Sequence, residues 1–314
     1  MKRHVWTPAW IATAMLSAAI ATAALGGGYR RDAASEGAAT AVGAAARTTL
    51  GPFRLGQQVR NRAHLKLRLE LGGGGRPQTL DILGDWAATP TDIHDGVVEV
   101  QCALGNVEAT IAANLDASTA GANQAQERAA RELATALAAP FFISYRADGA
   151  IANLWFSRGV NPTIANVMMT LAGTQQLVRG RPAEPAWVVV ERDVNGQYTA
   201  AYRESGPGRF DKKKARYVTA SPIANAVTGQ LASAAGPRLQ PSIRIERSDL
   251  ELRVDPQGRL LEVRGEDRVV FELGSPGLEM TTTVEVELGD GRTVEHGPIA
   301  PGDLRLGEIG RAHV

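Results

Sequence analysis

Residues 161–173 read NPTIANVMMTLAG, and this stretch decides the fold that we predict for the chain. Asn161 can cap a helix, and Pro162 suits the first helical position because its missing N–H is not needed there. The apolar residues that recur at helical spacing are Ile164, Val167, Met168, Leu171 and Val178. The pattern predicts an amphipathic helix that ends near Gly180. Its apolar face (Ile164, Val167, Met168, Leu171) needs either a protein core or an apolar ligand to cover it.

Two hairpins flank this helix in the sequence. The first joins residues 141–145 to 151–156 across Asp148-Gly149, and the second joins 187–190 to 198–202 across Asn195-Gly196. Both dipeptides tolerate the positive φ values of a tight hairpin turn. The chain therefore enters and leaves the helix through paired antiparallel strands.

Other stretches alternate apolar and polar residues, as half-buried strands do. The clearest is 63–71, which places five apolar side chains on one face. The remaining candidates are 79–83, 97–111 with a bend at Gly105-Asn106, 243–245, 250–254, 260–263, 269–273 and 280–288, with turns at 255–258 and 289–291. Alanine-rich residues 122–138 predict a second helix. The predicted fold class is mainly β with two helices (α+β): an antiparallel β-barrel or strongly curved sheet around the central amphipathic helix.

Both ends of the chain carry features that do not belong to this domain. A basic start and an uncharged apolar run make residues 1–25 a signal peptide or a membrane anchor, followed by a flexible Ala/Gly-rich linker at 26–49. Residues 308–314 match the translation of a common sequencing adapter, so we expect them to be an artefact. The β-rich domain then spans 50–307. We expect it to be exported to the periplasm, the cell surface or the medium, and the composition favours a bacterial source.

The residue types that carry catalysis or metal binding are not grouped in this sequence. The net charge of +1 is too small for the broad basic surface of a nucleic-acid-binding protein. The histidines, at positions 4, 64, 94, 296 and 313, lack metal-ligand spacing, and no GxSxG motif occurs. Cys102 is the only cysteine and lies in an apolar run, where a thiol is usually an inert small hydrophobe. We therefore predict no catalytic, cofactor-binding or metal-binding residues.

One concentrated charge run is formed by Lys212, Lys213, Lys214 and Arg216. A solvated loop explains such a run. The alternative is a patch that binds an anionic partner, either an acidic protein or the headgroups of anionic lipids.

Several short motifs follow one another along the middle of the chain in a recognisable order. They are Pro140-Phe141-Phe142-Ile143-Ser144-Tyr145, Asp148-Gly149-Ala150-Ile151, Asn161-Pro162, Asn166, Gln175-Gln176, Glu191-Arg192-Asp193-Val194-Asn195-Gly196-Gln197-Tyr198 and Tyr202. With them the middle of the chain resembles the N-terminal domain of the large lipid transfer proteins, the family of vitellogenin, apolipoprotein B and microsomal triglyceride transfer protein. The resemblance implies a β-barrel around a central helix, with a role in lipid entry and partner contact. The chain departs from that family in lacking its usual disulfide cysteines and, as it stands, its helical repeats; truncation of the gene would account for the missing repeats, and we expect the chain to be a truncated bacterial relative.

These observations predict a non-enzymatic lipid-binding or lipid-transport module of an exported protein. One alternative is a membrane-tethered envelope domain with a structural or protein-interaction role and no lipid role. An exported hydrolase is a second alternative, which would need polar residues remote in sequence to meet in one cleft.

Overall fold

The computed structural model describes residues 49–72, 77–113, 120–157, 160–180, 184–220, 242–272, 279–295 and 309–312. The predicted leader at 1–25 and nearly all of the predicted linker at 26–49 lie outside these ranges, so both assignments stay predictions. Within the described part of the chain, no helix is long and apolar enough to cross a bilayer.

Strands make up most of the described chain. A small sheet pairs β1 (Thr49–Leu50) with β2 (Phe53–Arg54). The large sheet contains β3 (Gln57–Leu71), β4 (Gln78–His94), β5 (Val97–Ala113), β6 (Phe141–Arg146), β7 (Ile151–Ser157), β8 (Ala186–Asp193), β9 (Gly196–Gly206), β10 (Arg209–Ala220), β11 (Ser242–Val254), β12 (Leu260–Glu272), β13 (Glu279–Glu295) and β14 (Ile309–Ala312). Two helices, α1 (Ala120–Leu137) and α2 (Pro162–Thr174), interrupt the strands.

The large sheet consists of two antiparallel runs of strands. Strands β3 to β7 form the first run and β8 to β13 the second, and the pairing of β3 with β13 joins them. The alternation predicted for residues 63–71 is confirmed in β3, where Ala63 and Leu65 are buried and Arg62 is exposed. One face of the sheet is therefore available to a core.

Helix α2 lies inside the curve of this sheet. Val167 and Met168 line a small void with Trp86 of β4, in the first run. The carbonyl of Gly173, near the helix end, accepts a hydrogen bond from Lys212 of β10, in the second run. A single helix reaches both runs because the sheet curls around it, as the sequence pattern predicted.

The sheet does not close into the predicted barrel. Its edges are β8 and β14, the latter beside β7, and no ladder joins β7 to β8 in the described ranges. Met169 of α2 lines a small void with Leu154 of β7 and Asp193 of β8. A helix side chain therefore lies between β7 and β8, and in the described ranges the curved sheet ends at β14 on one side and at β8 on the other.

The predicted C-terminal boundary of α2 is wrong. The helix begins as expected, with Asn161 accepting a hydrogen bond from Thr163 N at 2.8 Å, but it ends at Thr174 rather than near Gly180. Lys212 donates hydrogen bonds to the carbonyls of Gly173 and Gln176, which backbone N–H groups would have bonded if the helix had continued. Val178, predicted on the apolar stripe, lies beyond the helix and is nonetheless buried.

Two predicted loops belong to strands. The charge run at 212–216 lies within β10, and the predicted turn at 289–291 lies within β13. A register shift between Gly289 and Arg292 and a φ of 55° at Asp290 show that the latter is a β-bulge. The predicted bend in β5 is confirmed, since Asn106 has a φ of 49° inside that strand.

The remaining elements are of the predicted type, but the strands predicted at 243–245 and 250–254 form the single strand β11, and those predicted at 260–263 and 269–273 lie in the single strand β12, which is described as far as Glu272. Both hairpins form, as β6 with β7 and β8 with β9, and residues 122–138 correspond to α1, which buries Leu137. Residues 309–312 form β14 beside β7 although the adapter match had excluded them from the predicted fold. This pairing does not test their origin, which stays a prediction.

Candidate functional site

Residues 175–180, which follow α2, run between the β6–β7 turn and the edge strand β8; we call them the crossing segment. Arg179 N donates a hydrogen bond to the carbonyl of Asp148, in the β6–β7 turn, at 2.9 Å. The indole Nε1 of Trp187, in β8, donates to the carbonyl of Val178 at 2.9 Å. The crossing segment therefore links the first run of strands to the second where no ladder does.

The tight turn predicted at Asp148-Gly149 allows this close approach. Gly149 has a φ of +89°, and a Cβ at that position would lie 2.3 Å from the carbonyl oxygen of Leu177. Only glycine fits both the backbone conformation and the space. The crossing segment is thus seated against the first hairpin by backbone geometry.

A buried ion pair holds the C-terminal end of α2. Lys212 Nζ donates to the carbonyls of Gly173 and Gln176, at 3.3 and 2.9 Å. It also lies 2.7 Å from a carboxylate oxygen of Glu191 in β8, and both side chains are fully buried. Burying two charges costs several kcal/mol, so such a pair persists only with additional hydrogen bonds. The carbonyls of the helix C-terminus supply part of them, since they carry partial negative charge.

Two tyrosines of β9 complete the surroundings of Glu191. Tyr198 donates its hydroxyl proton to Glu191 at 2.6 Å, and Tyr202 donates to the other carboxylate oxygen. Burial and then the Glu191 charge raise the pKa of both hydroxyls well above the ordinary value, so both remain neutral donors. These three residues belong to the motifs that carried the family resemblance, and their role in the structure is to fix the helix end.

A second buried cluster lies beside the first. Lys214 Nζ lies 2.6 Å from Asp193 Oδ2 and 2.8 Å from Asp267 Oδ2. The hydroxyl of Tyr217 donates to Asp193 at 2.7 Å. Burial disfavours the charged form of Lys214, but the two carboxylates outweigh it and hold the pKa of that ammonium well above its ordinary value. The cluster joins β8, β10 and β12 through charged side chains.

These clusters contradict the prediction of a surface patch of four cations. The side chain of Lys212 is fully buried and that of Lys214 is only 8 % exposed, so neither can meet an external anion. Lys213 and Arg216 are exposed, and Lys213 pairs with Asp249 at 2.8 Å. The alternation of β10 sends two of the cations inward, which a loop would not do. An anion-binding role for the two exposed residues stays a prediction.

An apolar cavity of about 110 Å³ borders the crossing segment; we call it the mouth cavity. Its apolar lining comes from β2 to β6, from the crossing segment and from β12: Phe53, Val59, Trp86, Val100, Tyr145, Leu177 and Leu260. Pockets that enclose drug-sized ligands measure roughly 300–1,000 Å³. The mouth cavity therefore has room for the end of an apolar chain and not for a whole lipid.

The β1–β2 hairpin covers one side of the mouth cavity. The ring of Phe53 stacks on that of Tyr145, with centroids 5.1 Å apart. Gly51 has a φ of +55°, and a Cβ there would lie 3.1 Å from the carbonyl oxygen of Ala147. The hairpin forms its own small sheet, so side-chain stacking contributes to holding it over the cavity.

A wider cleft adjoins the mouth cavity. It measures about 630 Å³ and shares Leu177, Arg179 and Gly258 with the mouth cavity. Arg179 Nη2 donates to the carbonyl of Gly258 at 3.2 Å, and a Cβ on Gly258 would lie 1.5 Å from that nitrogen. The contact between Arg179 and the β11–β12 turn thus marks the boundary between the two spaces.

Three arginines line the mouth cavity, and only one of them lacks a carboxylate partner among the described residues. Arg259 lies 2.5 Å from Asp255, and Arg54 lies 3.9 Å from Glu295. Arg179 is exposed and donates to a backbone carbonyl only. Asp148 also lines the cavity, but its carboxylate lies 3.5 Å from Arg146 and accepts from Ala150 N.

A groove of about 700 Å³ lies on the outer face of the sheet. Several of its charges pair with one another, as in Arg253 with Glu262 and Arg264 with Glu287. Such exposed pairs leave little free charge for a ligand. The mouth cavity is therefore the stronger candidate site.

The predicted helix face, Cys102, His64 and His94 do not line the mouth cavity. The predicted helix face is in the main core, where each residue is at most 8 % exposed: Ile164, Val167, Met168 and Leu171. Cys102 is buried, which raises the pKa of its thiol. His64 and His94 each contact one aspartate, and in the ranges that the structure covers no three metal-ligating side chains form a group.

The comparisons with known proteins point to one fold. No family model and no curated protein matches the sequence. A solved structure described as "Lipid-protein interactions in lipovitellin" matches with a TM-score of 0.50 and 11 % identity. The match covers 79 % of this chain and 26 % of the lipovitellin chain. The chain therefore has a lipovitellin-like fold and spans about a quarter of the lipovitellin chain that it matches.

Sequence patterns identified the turn at Asp148-Gly149 and the motif residues Tyr145 and Gln175, but not that these residues line a cavity. Phe53 and Trp86 fall in no predicted strand, and Arg179 falls in the last turn of the predicted helix. The turn glycines are the sequence feature that points to this region. Atoms of the crossing segment lie against Gly149 and Gly258, where a Cβ would not fit.

Proposed function

We propose that this chain is a non-enzymatic lipid-binding module of an exported protein, and that its mouth cavity receives the apolar end of a lipid. The observation that carries the proposal is an apolar cavity at an open side of a lipovitellin-like fold, next to a wider cleft. Apolar surface gains about 25 cal/mol per Å² when it leaves water, so an acyl chain end is a suitable occupant.

Tryptophan fluorescence tests this proposal at the cavity itself. The full chain is mixed with phosphatidylcholine vesicles whose acyl chains carry bromine atoms, which quench tryptophan on contact. Trp86 lines the mouth cavity, whereas Trp155 of β7 does not. We expect quenching that Trp86→Phe reduces and that Trp155→Phe leaves in place. A chain that shows no quenching, and that carries no lipid detectable by mass spectrometry after purification, would contradict the proposal.

A second candidate is a membrane-tethered domain that binds another protein and no lipid. The edge strand β8 favours it, because Val188 and Val190 are 64 % and 57 % exposed on a strand that, among the described residues, pairs only with β9. An extended segment of a partner could add to such an edge. If this candidate is correct, the double variant Val188→Lys with Val190→Lys abolishes binding of the partner protein. Quenching by brominated lipid should be unchanged in the same variant, because neither valine lines the mouth cavity.

A further inference from the structure

The mouth cavity combines an apolar interior with a cation at its boundary. Arg179 lies on the crossing segment, between the apolar lining of the cavity and the wider cleft. Its guanidinium group is exposed, has no carboxylate partner among the described residues, and donates to the Gly258 carbonyl. A guanidinium group has five N–H donors, so most of them remain available to a ligand.

We propose that the mouth cavity selects an anionic single-chain lipid, a fatty acid, whose carboxylate is bound by Arg179. This inference rests on the proposed lipid-binding function and names the class of lipid. The acyl end enters the cavity between Phe53 and Trp86, and the carboxylate stays at the boundary with the cleft. A guanidinium group matches a carboxylate with two parallel hydrogen bonds, which a neutral headgroup cannot replace.

The shape of the site favours one chain over two. The cavity volume of about 110 Å³ leaves no room for a second chain beside the first. The adjoining cleft of about 630 Å³ keeps the headgroup end in contact with water, so the carboxylate need not lose its full hydration. The other charged groups on the cavity lining, Arg54, Arg259 and Asp148, are compensated by neighbours of opposite charge. The cleft also carries the carboxylates of Glu184 and Glu204, so the ligand's carboxylate has to lie on the cavity side of Arg179.

Isothermal titration calorimetry of the full chain tests the anchor with two ligands that share one tail, dodecanoate and 1-dodecanol. We expect dodecanoate to bind about tenfold more tightly, since a hydrogen bond to a charged group is the stronger kind. Arg179→Gln should weaken dodecanoate about tenfold and leave 1-dodecanol unchanged, while Arg179→Lys should retain part of the difference. Arg131→Gln, on the exposed side of α1, is the matched control and should change neither affinity.

The outcomes separate this inference from the proposed function. Equal affinities for the two ligands, or a dodecanoate affinity that Arg179→Gln leaves unchanged, would overturn the carboxylate anchor and leave the lipid-binding function standing. Failure of both ligands to bind would overturn the function as well. Acetate has the carboxylate without the tail. Competition by acetate at the concentration of dodecanoate would assign Arg179 to free carboxylates and overturn the fatty-acid assignment.

Discussion

Helix α2 is held by two regions that work in different ways. Along its length, Val167, Met168 and Leu171 meet apolar side chains of the first run of strands. At its C-terminal end, the carbonyls of Gly173 and Gln176 meet the buried charge of Lys212 from the second run. Apolar contact depends on volume and is non-directional, whereas a buried ion pair requires one geometry. The apolar region therefore stabilises the helix, and the charged region fixes where it ends.

The largest effect is expected from removing the buried cation. Lys212→Met keeps a long side chain but leaves Glu191 charged and unpaired in a dry site, so the free energy of unfolding should fall by about 3–5 kcal/mol. Urea denaturation followed by circular dichroism measures it. Lys213→Met is the matched control, since its ion pair is exposed and should contribute about 0–1 kcal/mol.

If Lys212→Met and Lys213→Met lost comparable free energies of unfolding, the buried ion pair would contribute no more to stability than an exposed one. The double variant Glu191→Leu with Lys212→Met provides a second readout. It removes both charges, so it should recover part of the stability lost in the single variant.

Truncation in the apolar region is expected to have the next largest effect. Leu171→Ala leaves a cavity beside Trp86 and should cost about 2–5 kcal/mol. Leu171→Met keeps the volume and should cost less than about 1.5 kcal/mol, because apolar packing tolerates a change of shape better than a change of volume. The same urea titration applies. If the methionine variant lost as much as the alanine variant, the apolar region would be as geometrically specific as the charged one.

Loss of a single hydroxyl tests the support of the ion pair. Tyr202→Phe removes the proton donated to Glu191 and should cost about 1–3 kcal/mol, since a buried carboxylate loses a hydrogen bond. A double-mutant cycle with Glu191→Gln should give a coupling energy clearly different from zero. Additive losses would mean that the hydroxyl does not act through Glu191.

The charged region should also give stability a dependence on alkaline pH. The pKa of Lys214 and that of Tyr198 are both raised in the folded chain, above ordinary values of 10.5 and 10.0. Above these values the unfolded chain releases protons that the folded chain retains, so the free energy of unfolding falls as pH rises. Each group contributes up to about 1.4 kcal/mol per pH unit. Urea titrations from pH 9 to 11 should show the decline, with a smaller slope in Tyr198→Phe, and an unchanged slope would contradict it.

The difference between the two regions also explains what could be predicted from the sequence. Periodicity is a local property, so it located α2 from Ile164 and Val167, and β3 from the alternation at 63–71. The end of α2 depends on Lys212, which lies 36 residues from Gln176 in the chain. A basic run gives no sign of which of its members turn inward, so Lys212 and Lys214 were predicted on the surface.

The mouth cavity was beyond sequence patterns for a related reason. Its lining combines Phe53, Trp86, Leu177 and Leu260, which come from four separate parts of the chain. None of these four belongs to a motif, although the motif residues Tyr145 and Gln175 also line the cavity, and their proximity follows from the curvature of the sheet. The apolar pattern of α2 predicted a face that needs covering, but not where apolar surface elsewhere remains uncovered.

The line where β7 and β8 approach each other has a mechanical consequence. Met169 lies between these two strands and no ladder joins them in the described ranges, so changing the width there alters dispersion contacts of about 0.1–0.2 kcal/mol per atom pair. A hydrogen-bonded ladder would instead lose about 1 kcal/mol with each broken bond. The circumference of the curled sheet is consequently adjustable along a single line, while every strand pairing elsewhere stays intact.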